Sequence, residues 1–205
     1  KQVATPEDPA TARYGEPVYS FWFRSIANCY VGAWQIANRE TPKRGKPVIS
    51  LYNEMLQVQL IQAGFVLLVF LVFGWKAGLM YCLAAMMGIL LLETVNYIEH
   101  YGLLRNKTSS GNYERTQPMH SWNSDHILGR ILLFELSRHS DHHYLASRKY
   151  QVLRHHDTTP QMPTGYPGMI LLSLIPPLWF RVMHKKLNSL RSSLHQNNDE
   201  APLAV

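Results

Sequence analysis

Two long stretches without charge constrain the fold of this chain more than any other feature. Residues 55–75 carry no charged side chain, and a second uncharged run covers residues 77–92. Because a helix needs about 20 residues to cross a bilayer, both segments are long enough to span a membrane. Lys76, between Gly74 and Gly78, is typical of a hairpin tip. The pattern predicts an all-α membrane protein with a transmembrane helical hairpin over residues 52–103. Two long buried helices in a soluble protein are the alternative, and two adjacent runs of this length rarely fit inside a soluble core.

The charges that flank the hairpin indicate its orientation. Basic residues precede it within residues 39–46, and Arg105 and Lys107 follow it. The positive-inside rule places both flanks in the cytoplasm. The net charge of +6 suits anionic lipid, with docking of an acidic partner as a second use. Nucleic acid is not an expected partner, because no motif or basic stripe with interleaved aromatics is present. Cys29 and Cys82 do not indicate a disulfide framework.

The rest of the chain divides around this hairpin. Residues 1–51 are predicted to form a cytoplasmic, Pro-rich loop and then an interfacial amphipathic helix over residues 21–40. Residues 104–167 are predicted to be a cytoplasmic, helical, histidine-rich region with a helix over residues 124–146. Residues 168–184 are apolar but too short to span, so we expect an interfacial segment broken by Pro176-Pro177. A disordered tail is expected over residues 185–205. The start at Lys1, without an initiator Met, indicates the interior of a longer chain.

Three histidines in the run Arg138-His139-Ser140-Asp141-His142-His143 have a spacing that suits a metal site. On a helix they fall within an arc of about 100°, so the three imidazoles point the same way. Neutral imidazoles are good ligands for iron, zinc or copper. The alternative is a solvated, histidine-rich helix end. The convergence of three imidazoles makes this alternative the weaker interpretation. The run therefore predicts metal binding by His139, His142 and His143.

A second group of polar residues closes the second uncharged run. Glu93, Asn96, Tyr97 and His100 recur at helical spacing, and polar groups at such a position must face the interior of the bundle. His100 is therefore a fourth candidate ligand. Carboxylates near a metal site often orient imidazoles by accepting the ring N–H. The candidates for a supporting role are Glu93, Asn96, Glu99, His126 and Glu135. The remaining histidines are expected in loops or at the surface: His120, His155, His156, His184 and His195.

Two of these segments resemble motifs of a known family. Asn96-Tyr97-Ile98-Glu99-His100-Tyr101-Gly102-Leu103 resembles the signature of the bacterial membrane-bound alkane 1-monooxygenases. Leu136-Ser137-Arg138-His139-Ser140-Asp141-His142-His143 resembles the last histidine box of that family, which usually has Gln where Ser137 stands. Residues 3–10, 121–124 and 163–167 are also similar to family segments. The resemblance covers about residues 1–183.

The resemblance implies a histidine-box enzyme with a non-haem di-iron centre, built into a six-helix bundle of the bacterial inner membrane with the metal site toward the cytoplasm. It implies terminal hydroxylation of medium- and long-chain n-alkanes to 1-alkanols, with O₂ as oxidant and electrons from rubredoxin, which a rubredoxin reductase supplies. In this family nine histidines hold two iron ions. Four match here, His100, His139, His142 and His143, with no catalytic side chain beyond these ligands. Five further histidines are expected from an N-terminal part, so this C-terminal portion alone is expected to be inactive.

Three other functions remain open at this point. A xylene-type hydroxylase or a fatty-acyl desaturase would use related histidine boxes, although the eight-residue signature argues against both. A non-enzymatic membrane metal-binding protein would hold a metal, zinc for example, without oxygen-dependent chemistry.

Overall fold

The structure, a computed structural model, describes residues 2–199 and consists of helices joined by turns and loops. The helices are α1 (Val18–Lys43), α2 (Glu54–His100), α3 (Ile127–Leu132), α4 (His139–Tyr144), α5 (Tyr166–Ser173) and α6 (Pro176–Asp199). Within the described residues, β-structure is limited to two isolated bridges, Lys107 with Tyr113 and Asn123 with Gln161. The prediction of an all-α protein is confirmed.

The chain forms two compact units. One contains Lys1–Phe21 together with Thr94–Val205, and we call it the histidine unit. The other contains Trp22–Glu93, and we call it the hairpin unit. The helices α1 and α2 each contribute residues to both units.

The helix α2 turns back on itself at Gly74, whose backbone has φ 80° and ψ 172°. The rings of Phe65 and Tyr81 lie 5.6 Å apart, whereas a straight helix would separate these residues by about 24 Å. A side chain at Gly78 would meet the Phe70 ring at 2.5 Å, so the two arms approach closely there. The predicted hairpin is therefore present, with its turn at Gly74 rather than at Lys76. Glycine suits this turn because it alone adopts a positive φ without strain.

The same helix is long and apolar enough to cross a membrane, judged by its length and composition. None of its most apolar window is buried inside the protein, so large side chains such as Leu71 and Phe73 are exposed. A contiguous apolar surface of this kind needs a covering other than water. These features are those of a helical membrane protein.

The helix predicted over residues 21–40 is present as α1, with longer limits. The chain leaves it in a turn in which the amide of Gly45 donates to Pro42 O at 2.9 Å and Gly45 has a φ of 68°. Asn53 then caps α2, because its Oδ1 accepts from the amide of Met55 at 3.1 Å. Its Nδ2 donates to Asn38 Oδ1 at 2.9 Å, which ties this loop to α1.

Residues 2–17 form turns that wrap the C-terminal end of α2. Tyr97 donates its hydroxyl to Glu16 O at 2.7 Å, and the amides of Gly102 and Arg105 donate to Ala12 O and Ala4 O. The core of the histidine unit is aromatic and fully buried: Tyr97, Tyr101, Trp122, Tyr166 and Trp179. This packing fixes the position of His100, the last residue of α2, within the histidine unit.

The prediction of one helix over residues 124–146 is wrong. Two short helices, α3 and α4, are separated by Phe134 and Glu135, which have φ values of 51° and 63°. The carboxylate of Glu135 turns back to accept from the Arg130 guanidinium at 2.8 to 3.1 Å, which stabilises the reversal. The apolar periodicity of this segment therefore does not continue into a single helix.

The apolar segment over residues 168–184 is divided between α5 and α6, with the expected break at Pro176. The disordered tail expected from residue 185 does not begin there, because α6 continues to Asp199. Trp179, Met183 and Leu187 are fully buried and recur every fourth residue, so the buried stripe of α6 extends past residue 185. The last part of that expected tail, residues 200–205, lies outside the described residues.

Candidate metal centre

Three histidines from two distant segments converge in the histidine unit. His100 is the last residue of α2, and His139 and His143 lie one helical turn apart on α4. Each offers one ring nitrogen, and the three nitrogens lie within 4.8 Å of one another. The Nε2 atoms of His100 and His139 are 3.0 Å apart. Two imidazoles that bind one ion at about 2.1 Å and at a right angle would have this separation, about 3.0 Å.

His142 lies beside this trio rather than within it. Its ring centroid is 5.4 Å from that of His143 and 6.0 Å from that of His139. The helical spacing of α4 therefore brings its own three imidazoles to one side, as the sequence predicts. The three histidines with the closest nitrogens are a different set, in which His100 takes the place of His142. The role of His142 as a ligand stays a prediction.

The chemistry of the trio fits a metal ion. The Nε2 atoms of His100 and His139 face each other at 3.0 Å, and the side chain of His100 is buried. An ion held by both nitrogens would give each of these lone pairs a partner. Burial, and then the neighbouring imidazoles, lower the pKa of His139 well below its usual value. His139 is therefore neutral at pH 7, the form that has a lone pair for a metal.

Glu99 lies on the Nδ1 side of the His139 ring, and Tyr166 holds Glu99 in place. The Nδ1 of His139 lies 3.3 Å from Glu99 Oε1, and the Tyr166 hydroxyl donates to the same oxygen at 2.6 Å. Burial, and then the carboxylate of Glu99, raise the pKa of Tyr166 well above its usual value, so its hydroxyl keeps the proton that it donates. A proton on Nδ1 of His139 directs the lone pair of Nε2 toward the ligand site.

Sequence reasoning found Glu99 but missed Tyr166. Glu99 belongs to the polar group at the end of α2, whereas Tyr166 begins α5 after a long irregular segment. Its only sequence signal was its place in residues 163–167, one of the family-like segments. The contact is long-range, and no spacing along the chain indicates it.

On the opposite side of α4 from the histidines, Asp141 anchors the helix. Its carboxylate is fully buried and accepts from Arg148 at 2.5 and 2.6 Å, from the amide of Arg154 at 2.8 Å and from His156 Nε2 at 2.7 Å. Burial by itself would raise the pKa of Asp141, but these hydrogen bonds outweigh it and the pKa is lowered. His156, expected to be a loop residue, thus takes part in holding α4 in place.

Other candidates for a supporting role have different surroundings. Glu135 is held by Arg130, and His126 is exposed beside Gly165 at the start of α3. Neither of these contacts involves the trio. Asn96 is half-buried on α2, and Glu93 lies in the hairpin unit.

A cleft of about 530 Å³ gives His143 an opening toward solvent. Its lining includes Arg105, Arg115, Tyr144 and Ser147.

His184, expected at the surface, is instead half-buried, with its Nε2 2.8 Å from the Tyr101 hydroxyl and its ring stacked on Tyr14.

Comparisons with known proteins agree with this geometry. The sequence matches the fatty acid desaturase family over residues 1–173. It is 46% identical to alkane 1-monooxygenase 2 of Pseudomonas aeruginosa over 91% of this chain and 50% of that protein. It is 45% identical to alkane 1-monooxygenase of Acinetobacter baylyi over 91% of this chain and 46% of that protein. The identity to the xylene/toluene monooxygenase hydroxylase component of Pseudomonas putida is 29%, over 88% and 47% of the two chains. The chain spans about half the length of the curated relatives it matches.

Proposed function

The chain belongs to the fatty acid desaturase family, and we propose that the protein hydroxylates the terminal methyl group of medium- and long-chain n-alkanes to give 1-alkanols. The observation that carries this proposal is the convergence of His100, His139 and His143. Its substrate class rests on the high identity to alkane 1-monooxygenases, compared with 29% to the xylene/toluene enzyme.

The proposed cofactor is a pair of non-haem iron ions. His100, His139, His142 and His143 are the proposed ligands from this chain, and the other ligands would come from elsewhere in the whole protein. When bound, the iron supplies the O₂-dependent oxidising chemistry that side chains cannot provide. The buried imidazole of His100 on α2 and the neutral imidazole of His139 on α4 support this assignment.

The residues of this chain have three tasks in the proposed reaction. The trio binds the metal, Tyr166 and Glu99 hold the proton on Nδ1 of His139, and the buried surroundings of His100 exclude water. An alkane has no polar group, so it can be selected only by shape and by contact with an apolar lining. The alkane would enter from the membrane, which we propose to be the bacterial inner membrane. The basic residues that flank the hairpin favour a metal centre on the cytoplasmic side.

Rubredoxin is the proposed electron donor, reduced in turn by a rubredoxin reductase. The cleft that opens beside His143 is lined by two basic residues, Arg105 and Arg115, and one acidic residue, Glu114. Its net positive charge would attract an acidic protein. Electrons would then enter close to a metal ligand rather than through the hairpin.

Product analysis of cells that carry the full-length protein tests this function. Gas chromatography after feeding an n-alkane should detect the matching 1-alkanol. Unsaturated acyl products without 1-alkanol would favour a fatty-acyl desaturase, and hydroxylated xylene alone would favour a xylene-type enzyme. Metal analysis and Mössbauer spectroscopy should detect iron, whereas zinc alone would favour a non-enzymatic metal-binding protein.

A ligand substitution tests the assignment of His142. In the full-length enzyme, His142→Ala should lower the iron content and abolish hydroxylation, because an open coordination position would replace one imidazole. His195→Ala is the control, since the family resemblance ends before it. Equal iron content and equal activity in the wild type and His142→Ala would refute the ligand role.

A further inference from the structure

The histidine unit has an exposed apolar face that the metal centre does not explain. Ile127, Leu128 and Ile131 of α3 have 70%, 69% and 67% of their surface exposed. Leu171 of α5 and Ile175, which follows it, have 66% and 54% exposed. We call these five residues the apolar face. Large side chains at such exposure are normal singly, but a group of them marks an interaction surface.

The two parts of the apolar face adjoin each other. The starts of α3 and α5 pack together, since a Cβ on Gly129 would lie 3.7 Å from the Tyr166 ring. A cleft of about 520 Å³ between them is lined by Ile127, Leu128 and Pro167, among others. Pro167 and Leu171 lie four residues apart and so share one side of α5, and the exposed Ile175 follows just after the end of that helix. The apolar surface therefore continues from α3 along α5.

The charges around this surface favour one kind of partner. Residues 158–198 contain no acidic side chain. Residues 163–180 carry no charge at all, and the exposed Arg181, Lys185 and Lys186 follow them on α6. An uncharged apolar segment followed by exposed cations suits the boundary between acyl chains and anionic headgroups. Asp125 lines the cleft between α3 and α5, but the segment that runs from α5 into α6 carries cations and no acidic side chain. A typical protein interface has a mixed polar rim, so this segment suits a membrane surface better.

We propose that the apolar face is a membrane-seating surface that rests in the interface of an anionic bilayer. The five apolar side chains contact acyl chains, and Arg181, Lys185 and Lys186 contact phospholipid headgroups. The histidine unit is then held to the membrane by two kinds of attachment, the end of an apolar helix and an interfacial surface of its own. This attachment requires neither metal nor turnover, so it is tested independently of the proposed hydroxylation.

Spin labels can measure the depth of this surface in a bilayer. In the full-length protein, Cys29→Ser and Cys82→Ser remove both thiols of this chain. Any other cysteine of the full-length protein is also replaced by serine. A nitroxide is attached at Leu128→Cys, at Leu171→Cys or, as a control, at Ser110→Cys in the exposed turn after α2. The protein is reconstituted in vesicles of phosphatidylcholine and phosphatidylglycerol, and collisions with O₂ and with a water-soluble nickel chelate are compared.

O₂ concentrates in hydrocarbon, whereas the nickel chelate stays in water. Labels at Leu128 and Leu171 should therefore collide more with O₂ and several-fold less with nickel than the label at Ser110, at a depth of about 5–10 Å. Nickel access at both sites equal to that at Ser110 would overturn the proposal. Low access to both reagents would also overturn it, because the face would then be covered by protein.

A charge substitution tests the headgroup contacts. In Lys185→Gln/Lys186→Gln, the label at Leu171 should become shallower in vesicles that contain phosphatidylglycerol and remain unchanged in phosphatidylcholine alone. Lys107→Gln is the matched control, since it removes a cation from a different exposed loop. A depth at Leu171 that is the same in both lipids, with and without the substitutions, would overturn the assignment of an anionic bilayer.

Discussion

At the scale of single residues, we propose that the direction of the lone pair that His139 offers to a metal depends on a tyrosine outside the histidine trio. Tyr166 donates to Glu99, and Glu99 lies within reach of Nδ1 of His139. Because both partners are buried, no water competes for the carboxylate. A ring that rotates or changes tautomer offers its metal a weaker site, so partners of this kind commonly change metal affinity strongly.

Tyr166→Phe should therefore weaken metal binding while leaving the fold in place. The ring keeps its packing, but Glu99 loses a donor at 2.6 Å. We expect metal affinity to fall by about 10–100-fold, measured by competition between the full-length protein and a chelator for Co²⁺, with a change in the cobalt absorption spectrum.

Tyr19→Phe is the matched control for this substitution. It also removes a hydroxyl that donates to an acceptor, Leu174 O at 2.7 Å, but that acceptor is a backbone carbonyl. Unchanged cobalt affinity and spectrum in Tyr166→Phe would show that Glu99 orients His139 without the tyrosine.

At the scale of elements, α4 is too short to hold its histidines by helix formation alone. A six-residue helix is marginal in water, so its position must come from tertiary contacts. Asp141 supplies them, because it joins α4 to Arg148, Arg154 and His156. The histidines on one side of α4 are thus positioned by an ionic cluster on the other.

Asp141→Asn should loosen α4. The substitution keeps the volume but leaves Arg148 partly buried without its countercharge, a change that costs about 3–5 kcal/mol when one partner of a buried pair is lost. Hydrogen exchange of the α4 amides should accelerate accordingly. Asp157→Asn, at an exposed position, should leave the exchange of α4 unchanged. Equal exchange in both variants would mean that the ionic cluster does not hold the helix.

The turn of α2 depends on one glycine. Gly74 has a φ of 80°, where a side chain is strained although nothing lies within 4 Å of its Cβ position. Gly74→Ala should destabilise the hairpin by about 1–3 kcal/mol through backbone strain, because almost only glycine adopts φ 80° together with ψ 172°. Gly88→Ala is the control, since it also has open space but lies in regular helix, where alanine is favoured by about 1 kcal/mol. The free energy of unfolding of each variant is measured in mixed micelles with an increasing fraction of denaturing detergent. Equal stability of Gly74→Ala and Gly88→Ala would contradict the turn at Gly74.

At the scale of the whole molecule, what the sequence predicts depends on how local the determining contacts are. The hairpin follows from two uncharged runs, and the common side of His139 and His143 follows from helical spacing. The break at Phe134 and Glu135 does not follow from the sequence pattern. The positive φ of these non-glycine residues depends on the contact between the Glu135 carboxylate and the Arg130 guanidinium. The contacts of Tyr166 with Glu99 and of His100 with His139 join segments far apart in sequence, so their residues could be nominated but not placed together by spacing.

A metal bridging α2 and α4 should stabilise the two units unequally. The trio belongs entirely to the histidine unit, so binding energy is added there and not in the hairpin unit. A ligand present at 100 times its dissociation constant stabilises the native state by about 2.7 kcal/mol. Removing the metal from the full-length protein with a chelator should therefore accelerate hydrogen exchange in α4 and around His100.

The hairpin unit provides the internal control for this experiment. Its amides between Gln57 and Leu90 should exchange at the same rate with and without metal, because none of the three histidines lies there. Hydroxylation should be lost with the metal and return with Fe²⁺ but not with Zn²⁺, since zinc has no redox chemistry. Equal acceleration in both units would indicate that the metal holds the whole molecule together, and no acceleration in α4 would mean that the trio does not bind it.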